Sequence, residues 1–183
     1  MLKAVFNRIK IASFIPFLLC IIGFGACKKN PQLPSNKLEK DSTVENILKL
    51  NQLLAEVERE DIQKFIGEQS MTLQADSLGF WYAVTKQGKG KPIKRGMTVE
   101  MEYTLELLDG KICYSSAEKG KRILIIGKSE EERGLDLALQ KLTENDQAIV
   151  LLPSHLAFGA LGNRKCVPPR SPVLYRINTL KIK

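Results

Sequence analysis

The stretch Thr98-Val99-Glu100-Met101-Glu102-Tyr103-Thr104-Leu105-Glu106-Leu107 runs straight into Leu108-Asp109-Gly110. Apolar side chains at 99, 101, 103, 105 and 107 alternate with polar ones. That is the period of a strand with one face on a core. Asp-Gly is a favoured tight-hairpin dipeptide because its glycine accepts a positive φ without steric cost. The spacing therefore predicts a strand, a reversal at 109–110, and an antiparallel partner after it.

The same grammar extends outward from this hairpin. Upstream, residues 80–85 (Phe-Trp-Tyr-Ala-Val-Thr) are rich in β-formers. Downstream, 122–126 reads as an apolar strand, and Leu135, Ala138, Leu139 and Leu142 have the i, i+3, i+4, i+7 spacing of a short amphipathic helix. Residues 148–152 and 173–182 supply two further strands, separated by a long loop through Pro153, Gly159, Gly162, Pro168 and Pro169. Many strands with one helix among them predict an α+β domain, a curved antiparallel β-sheet wrapped over one short helix.

The densest basic stretch, residues 86–96, is broken by Gly and Pro and carries no aromatic side chain. A solvated loop accounts for it, with phosphate or anionic-lipid contact as the alternative. Neither a basic footprint with stacking aromatics nor a recognisable module is present, which argues against a nucleic-acid partner.

The N-terminal end has a different composition. Lys3, Arg8 and Lys10 precede a 14-residue apolar run, 11–24, that ends in Gly25-Ala26-Cys27. This is the layout of a secretory signal over 1–26. The run would span about 21 Å as a helix, short of the roughly 30 Å hydrocarbon core. Phe24-Gly25-Ala26-Cys27 also resembles the lipobox of bacterial lipoproteins, which implies lipidation of Cys27 and attachment to a membrane; a simply secreted protein with a Cys at its mature end is the alternative. Cleavage there would remove 26 of the 183 residues and three cations, lowering the net charge from +8 to +5. Residues 27–41 hold Pro31 and Pro34 and few apolar side chains, so they read as a flexible tether. An amphipathic helix is expected over 42–67, with Ser42 and Glu45 at capping-box spacing and Gly67 as its stop. Its stripe through Ile47, Leu50, Leu54, Val57, Ile62 and Phe65 calls for cover, from the following domain or from a homodimer or partner.

Across 79–183 a set of positions falls into one register: Gly88, Gly90, Pro92, Gly96, Val99, Tyr103, Asp109-Gly110 and Ser115-Ser116. After them come Gly127, Arg133-Gly134, Pro153, Ala157-Phe158-Gly159, Gly162 and Val167-Pro168-Pro169. Together these resemble the FKBP-type peptidyl-prolyl cis-trans isomerases, and with the signal and lipobox the chain is similar to gliding-motility-associated FKBP-type lipoproteins of bacteria. The resemblance implies an isomerase of the bacterial cell envelope, lipid-anchored to a membrane, with the outer membrane facing the periplasm as the expected site. Its substrates would be proline-containing exported polypeptides, and no cofactor or metal is implied.

The resemblance also implies a pocket. Tyr103, Leu135, Phe158 and Tyr175 would take the catalytic positions, with Leu135 as its floor, while Cys113, Tyr114, Leu124, Glu131, Glu132 and Val167 would bind substrate. The backbone N–H of Glu132 would donate to the ligand carbonyl. Three departures stand out. The family's Phe-Asp pair is Cys113-Tyr114, its hydroxyl-bearing Tyr is Phe158, and its apolar Val-Ile pair is Glu131-Glu132. Two rim carboxylates and fewer donors imply a wetter, weaker pocket, so a noncatalytic binding or assembly module of an envelope motility or secretion apparatus stays open beside the enzyme. By the same resemblance Cys113 lies on the pocket wall and Cys166 in a loop that folds over that wall. A Cys113–Cys166 disulfide outside the reducing cytosol is one expectation, and two separate buried thiols the other. His155, the single histidine, lacks the context of a metal or nucleophile site and reads as a loop residue.

Overall fold

The computed structural model of the chain describes residues 37–69, 72–128 and 132–183. The expected signal, Cys27 with its lipid, most of the tether, and Glu131 lie outside the described residues. Compactness divides the chain into Met1–Asn46 and Ile47–Lys183; of the first unit only the helical residues 37–46 are described.

Helix α1 covers Lys37–Glu68, so it starts inside the expected tether and includes Gly67. Lys37, Leu38, Glu39 and Lys40 are all strong helix formers, a preference that a search for apolar periodicity passes over. Ser42 consequently lies within the helix rather than at its cap.

Seven strands follow: β1 (Gln74–Ala75), β2 (Trp81–Lys86), β3 (Thr98–Leu107), β4 (Ile112–Ser115), β5 (Arg122–Ile125), β6 (Gln147–Leu152) and β7 (Val173–Ile182). They form one antiparallel sheet in the order β1-β2-β6-β7-β3-β4, with β5 also pairing along β3. β3 occupies the span its alternation predicts. Gly110, at φ +84°, closes the turn with its N–H on the Leu107 carbonyl at 3.0 Å. Two short elements escaped the sequence reading. Helix α2 (Ser116–Lys119) is capped by the Ser115 hydroxyl, and β1 is only two residues long.

Helix α3 (Arg133–Leu139) packs against one face of the sheet, burying Leu135, Ala138 and Leu139. Val99, Met101, Leu105, Val150, Tyr175, Ile177 and Phe80 close around them as the main core. The opposite face of β6 and β7 presents Ile149, Leu151 and Leu174, which join Ile62, Leu73, Phe65 and Ile66 in a second cluster. β6 is thus covered on both faces, which is why it reads as an unbroken apolar run instead of an alternating one.

Of the α1 stripe, only its C-terminal end finds this cover. Ile47, Leu50, Leu53 and Val57 remain exposed. Glu58 ties the covered end to the domain, its carboxylate accepting the Ser154 N–H and, at 2.7 Å, the Ser154 hydroxyl.

β7 carries an irregularity that re-aims its inward side chains. Glu102 faces Thr179 while Tyr103 faces Ile177, so Asn178 is an extra residue. The bulge moves the core-facing phase, placing Leu180 inside along with Val173, Tyr175 and Ile177.

Candidate functional site

The β3–β4–β5 region opens a cavity of about 550 Å3 between the concave sheet and the loop that precedes β7. β3 pairs with β4 through Thr104–Glu106 and with β5 through Thr98–Met101. Tyr103 falls at the break between the two, and its N–H is satisfied by the Ser116 hydroxyl at 3.0 Å. The paired serines therefore have local jobs, Ser115 as a helix cap and Ser116 as the acceptor that seats Tyr103.

Tyr103 and Tyr175 form one wall, their ring centroids 5.6 Å apart and tilted by 36°. Leu105 and Phe158 extend the apolar lining. Tyr114 stands on the β4 side, its hydroxyl accepting from Asn163 Nδ2 at 2.9 Å, with Lys119 Nζ 4.1 Å from its ring centre. Asn163 also organises the loop, its Oδ1 accepting the N–H groups of Lys165, Cys166 and Val167. Gly162, at φ +62°, borders the cavity, and a Cβ there would meet the Val167 carbonyl at 2.3 Å.

Polar chemistry enters where the family pattern is apolar. Glu132, expected on the rim, is buried at 3% exposure and lines the cavity from beneath. Arg122 Nη1 donates to both of its oxygens, at 3.1 and 2.9 Å, and the Tyr175 hydroxyl donates to Oε2. The carboxylate turns inward because a buried charge is tolerated only when paired and hydrogen-bonded, and Arg122 and the Tyr175 hydroxyl supply both. Burial pushes the Tyr175 hydroxyl well above the usual tyrosine range, and the Glu132 charge adds to it. Burial also raises Tyr103; Glu132 reinforces the shift, and the Arg122 charge opposes it. For Arg122, burial works against the cation, but its surroundings, the Glu132 carboxylate first and then Tyr175, together outweigh it and hold the guanidinium charged.

Of the expected site residues, Tyr103, Tyr114, Glu132, Phe158 and Tyr175 meet at the cavity. Leu124, Leu135 and Val167 do not line it. They are buried in the main core, Leu135 at 1% exposure, so they support the walls. Cys113 sits half-buried against that core and is bonded to Cys166, with Cα atoms 5.4 Å apart. The bond stitches the Asn163 loop to β4. Sequence reasoning passed over Arg122, Asn163 and Lys165, all of which line the cavity. A cation at the head of an apolar strand, ten residues before a glutamate at an expected apolar position, was the available signal for Arg122. Asn163 and Lys165 left none. His155 is exposed, on the 3-10 turn Ser154–Leu156. Among the described residues no cluster of His, Cys, Asp and Glu could hold a metal ion.

Known proteins place this architecture. The sequence model of the FKBP-type peptidyl-prolyl cis-trans isomerases matches residues 89–180. The FK506-binding protein 4 of Emericella nidulans is 33% identical over 99 residues, covering 54% of this chain and 20% of its own length. A probable FKBP-type peptidyl-prolyl cis-trans isomerase of Haemophilus influenzae is 25% identical over 131 residues, covering 70% of this chain and 54% of its own. The chain thus spans about a fifth of the fungal relative and about half of the bacterial one. Among solved structures, FkpA from Escherichia coli superposes with a TM-score of 0.62 at 18% identity, over 99% of this chain and 95% of that one. An isomerase from Pseudomonas syringae gives 0.61 at 22% identity, over 72% and 95%. The structural matches carry the fold, the sequence model carries the ancestry, and the chain belongs to the FKBP-type peptidyl-prolyl cis-trans isomerase family.

Proposed function

We propose that the chain is a peptidyl-prolyl cis-trans isomerase whose cavity over Tyr103 and Tyr175 takes the prolyl segment of a polypeptide. The observation that carries this reading is the aromatic-walled cavity inside the family-matched region. Rotation about an X–Pro bond meets a barrier of about 18–20 kcal/mol because the planar amide is resonance-stabilised. The twisted transition state has lost that resonance and much of its charge separation. A wall of Tyr103, Tyr175, Leu105 and Phe158 favours the less polar twisted form over the planar one. The N–H of Glu132, at the start of α3, is the donor assigned to the carbonyl preceding proline. No nucleophile takes part, because no covalent bond is made or broken.

The wider setting belongs to the same proposal. The signal layout and Cys27 support an envelope lipoprotein, on the outer membrane facing the periplasm, that assists the folding of exported proteins. Work beside a gliding apparatus is its most specific form and rests on that N-terminal layout alone. Cys27→Ala should abolish labelling by a radioactive fatty acid, and undiminished labelling would remove the anchor from the reading. The exposed row Ile47, Leu50, Leu53 and Val57 is where a second copy or partner chain would sit. The buried Arg122–Glu132 pair favours one other reading, a binding module with little turnover.

Exchange NMR on a Leu-Pro peptide tests the activity directly. Exchange between cis and trans peaks should speed up in proportion to added protein. A rate equal to that of peptide alone would leave the binding module.

A further inference from the structure

The cavity's charges do not cancel at its surface. Glu132 is the one carboxylate lining it among the described residues, and its oxygens are occupied from within by Arg122 and the Tyr175 hydroxyl. Arg122 is different. Its side chain lines the cavity and is 25% exposed, and only Nη1 is committed to Glu132. A guanidinium carries five N–H donors in a fixed fork, so donors remain beyond those that bond Glu132.

Lys165 lines the same cavity from the loop side, and no carboxylate pairs with it among the described residues. Its backbone is fixed, because its N–H bonds Asn163 Oδ1 at 3.0 Å and the next residue is disulfide-bonded Cys166. Lys119, with Nζ 4.1 Å from the Tyr114 ring centre, lies outside the lining and adds a further cation nearby. The lining thus sets two cations against one internally paired carboxylate, and a cleft with an excess of one sign of charge concentrates ligands of the other.

We infer that the cavity selects prolyl segments in which an aspartate or glutamate directly precedes the proline, with Arg122 and Lys165 as the residues that read the carboxylate. This rests on the isomerase reading and names its substrate class. The preceding residue is the relevant one because its carbonyl belongs to the rotating amide, so its side chain is held beside the ring that enters the cavity. A leucine there would cover part of the guanidinium without satisfying it. A lysine would meet like charge. A carboxylate accepts from the free edge of Arg122 while Glu132 holds the opposite edge, giving charge-assisted bonds on both sides of one cation.

The test uses the full chain and four capped tetrapeptides that differ only before proline: Ala-Glu-Pro-Ala and its Gln, Leu and Lys counterparts. Exchange NMR gives kcat/KM for each, and chemical-shift titration gives Kd. At low salt the Glu-Pro peptide should exceed Gln-Pro by about 10-fold in kcat/KM, and the ratio should fall towards one near 1 M NaCl. Lys165→Glu, an exposed change that spares the core, should bring the Glu/Gln ratio to about one or below. Arg122→Leu with Glu132→Leu and Tyr175→Phe removes the buried charges together and should flatten the ratio further. A wild-type Glu/Gln ratio of one or less, with Leu-Pro turned over, overturns the selectivity and leaves the isomerase standing. If no peptide is turned over, the isomerase reading falls. The Kd ratio then decides: tighter Glu-Pro binding sustains the inference for a binding site, and equal Kd values end it.

Discussion

Replacing both Cys113 and Cys166 by alanine should cost most of its stability through the unfolded state rather than by deforming the folded one. The bond closes a segment of 53 residues. In the chain-entropy treatment a loop of that length removes about 14 cal/mol/K from the unfolded ensemble, or about 4 kcal/mol at 25 °C. In the folded protein the loop has other holds. Asn163 Oδ1 accepts three successive backbone N–H groups, and Asn163 Nδ2 reaches the Tyr114 hydroxyl at 2.9 Å on the facing wall. Gly162 and Lys165 should therefore keep their places at the cavity. Urea unfolding of the wild type and of the double-alanine variant, followed by tryptophan fluorescence, measures the difference. The variant should lose about 3–4 kcal/mol and show a steeper dependence on urea, since its unfolded chain exposes more surface. A loss below about 1 kcal/mol with an unchanged slope would refute the entropic account. An equal loss accompanied by collapse of peptide binding in the folded variant would show that the bond shapes the loop directly.

Arg122→Met alone strands the buried Glu132 carboxylate and should destabilise by about 3–5 kcal/mol, whereas Arg122→Met with Glu132→Leu and Tyr175→Phe should come close to neutral; equal losses in a denaturant series would show that the pair is not a unit. Tyr103→Ala removes half of the aromatic wall and should slow Leu-Pro exchange by about 10-fold with the far-ultraviolet circular dichroism retained; an unchanged rate would place rotation elsewhere. Asp76 is held below the ordinary carboxylate range by its hydrogen bond with Lys141, and further by the Leu78 N–H. A depressed carboxylate adds stability above its unfolded pKa of about 3.9, lost as pH falls through the folded value. Asp76→Asn should thus lower the urea midpoint at pH 7 and leave it unchanged near pH 2, and a deficit that persists in acid would point to packing instead.

Much of the fold could be read because its signals are local. β3 is specified by the alternation of its own ten residues and by the Asp109-Gly110 that ends it, and α3 by apolar side chains one turn apart. β6 lies over the apolar run 148–152 that reads as a strand. The aromatic members of the site were legible because Tyr103, Phe158 and Tyr175 stand in registers that the family shares. The remainder depends on which surfaces meet. No local pattern tells that α1 is covered at Ile62 and Phe65 yet bare at Ile47 and Leu50, since periodicity marks a face and not the length of its partner. The Asn178 bulge is visible only against β3, where the pairing partners skip a residue. Glu132 looked like a rim charge because its burial is set by two side chains outside its own helix, Arg122 from β5 and the Tyr175 hydroxyl 43 residues away. The sequence by itself determined strands and turns, each encoded within a few residues, while the aromatic wall was legible only through its resemblance to a family. Only the tertiary structure decided where the charges went, because the cost of burying an ion depends on its neighbours in space.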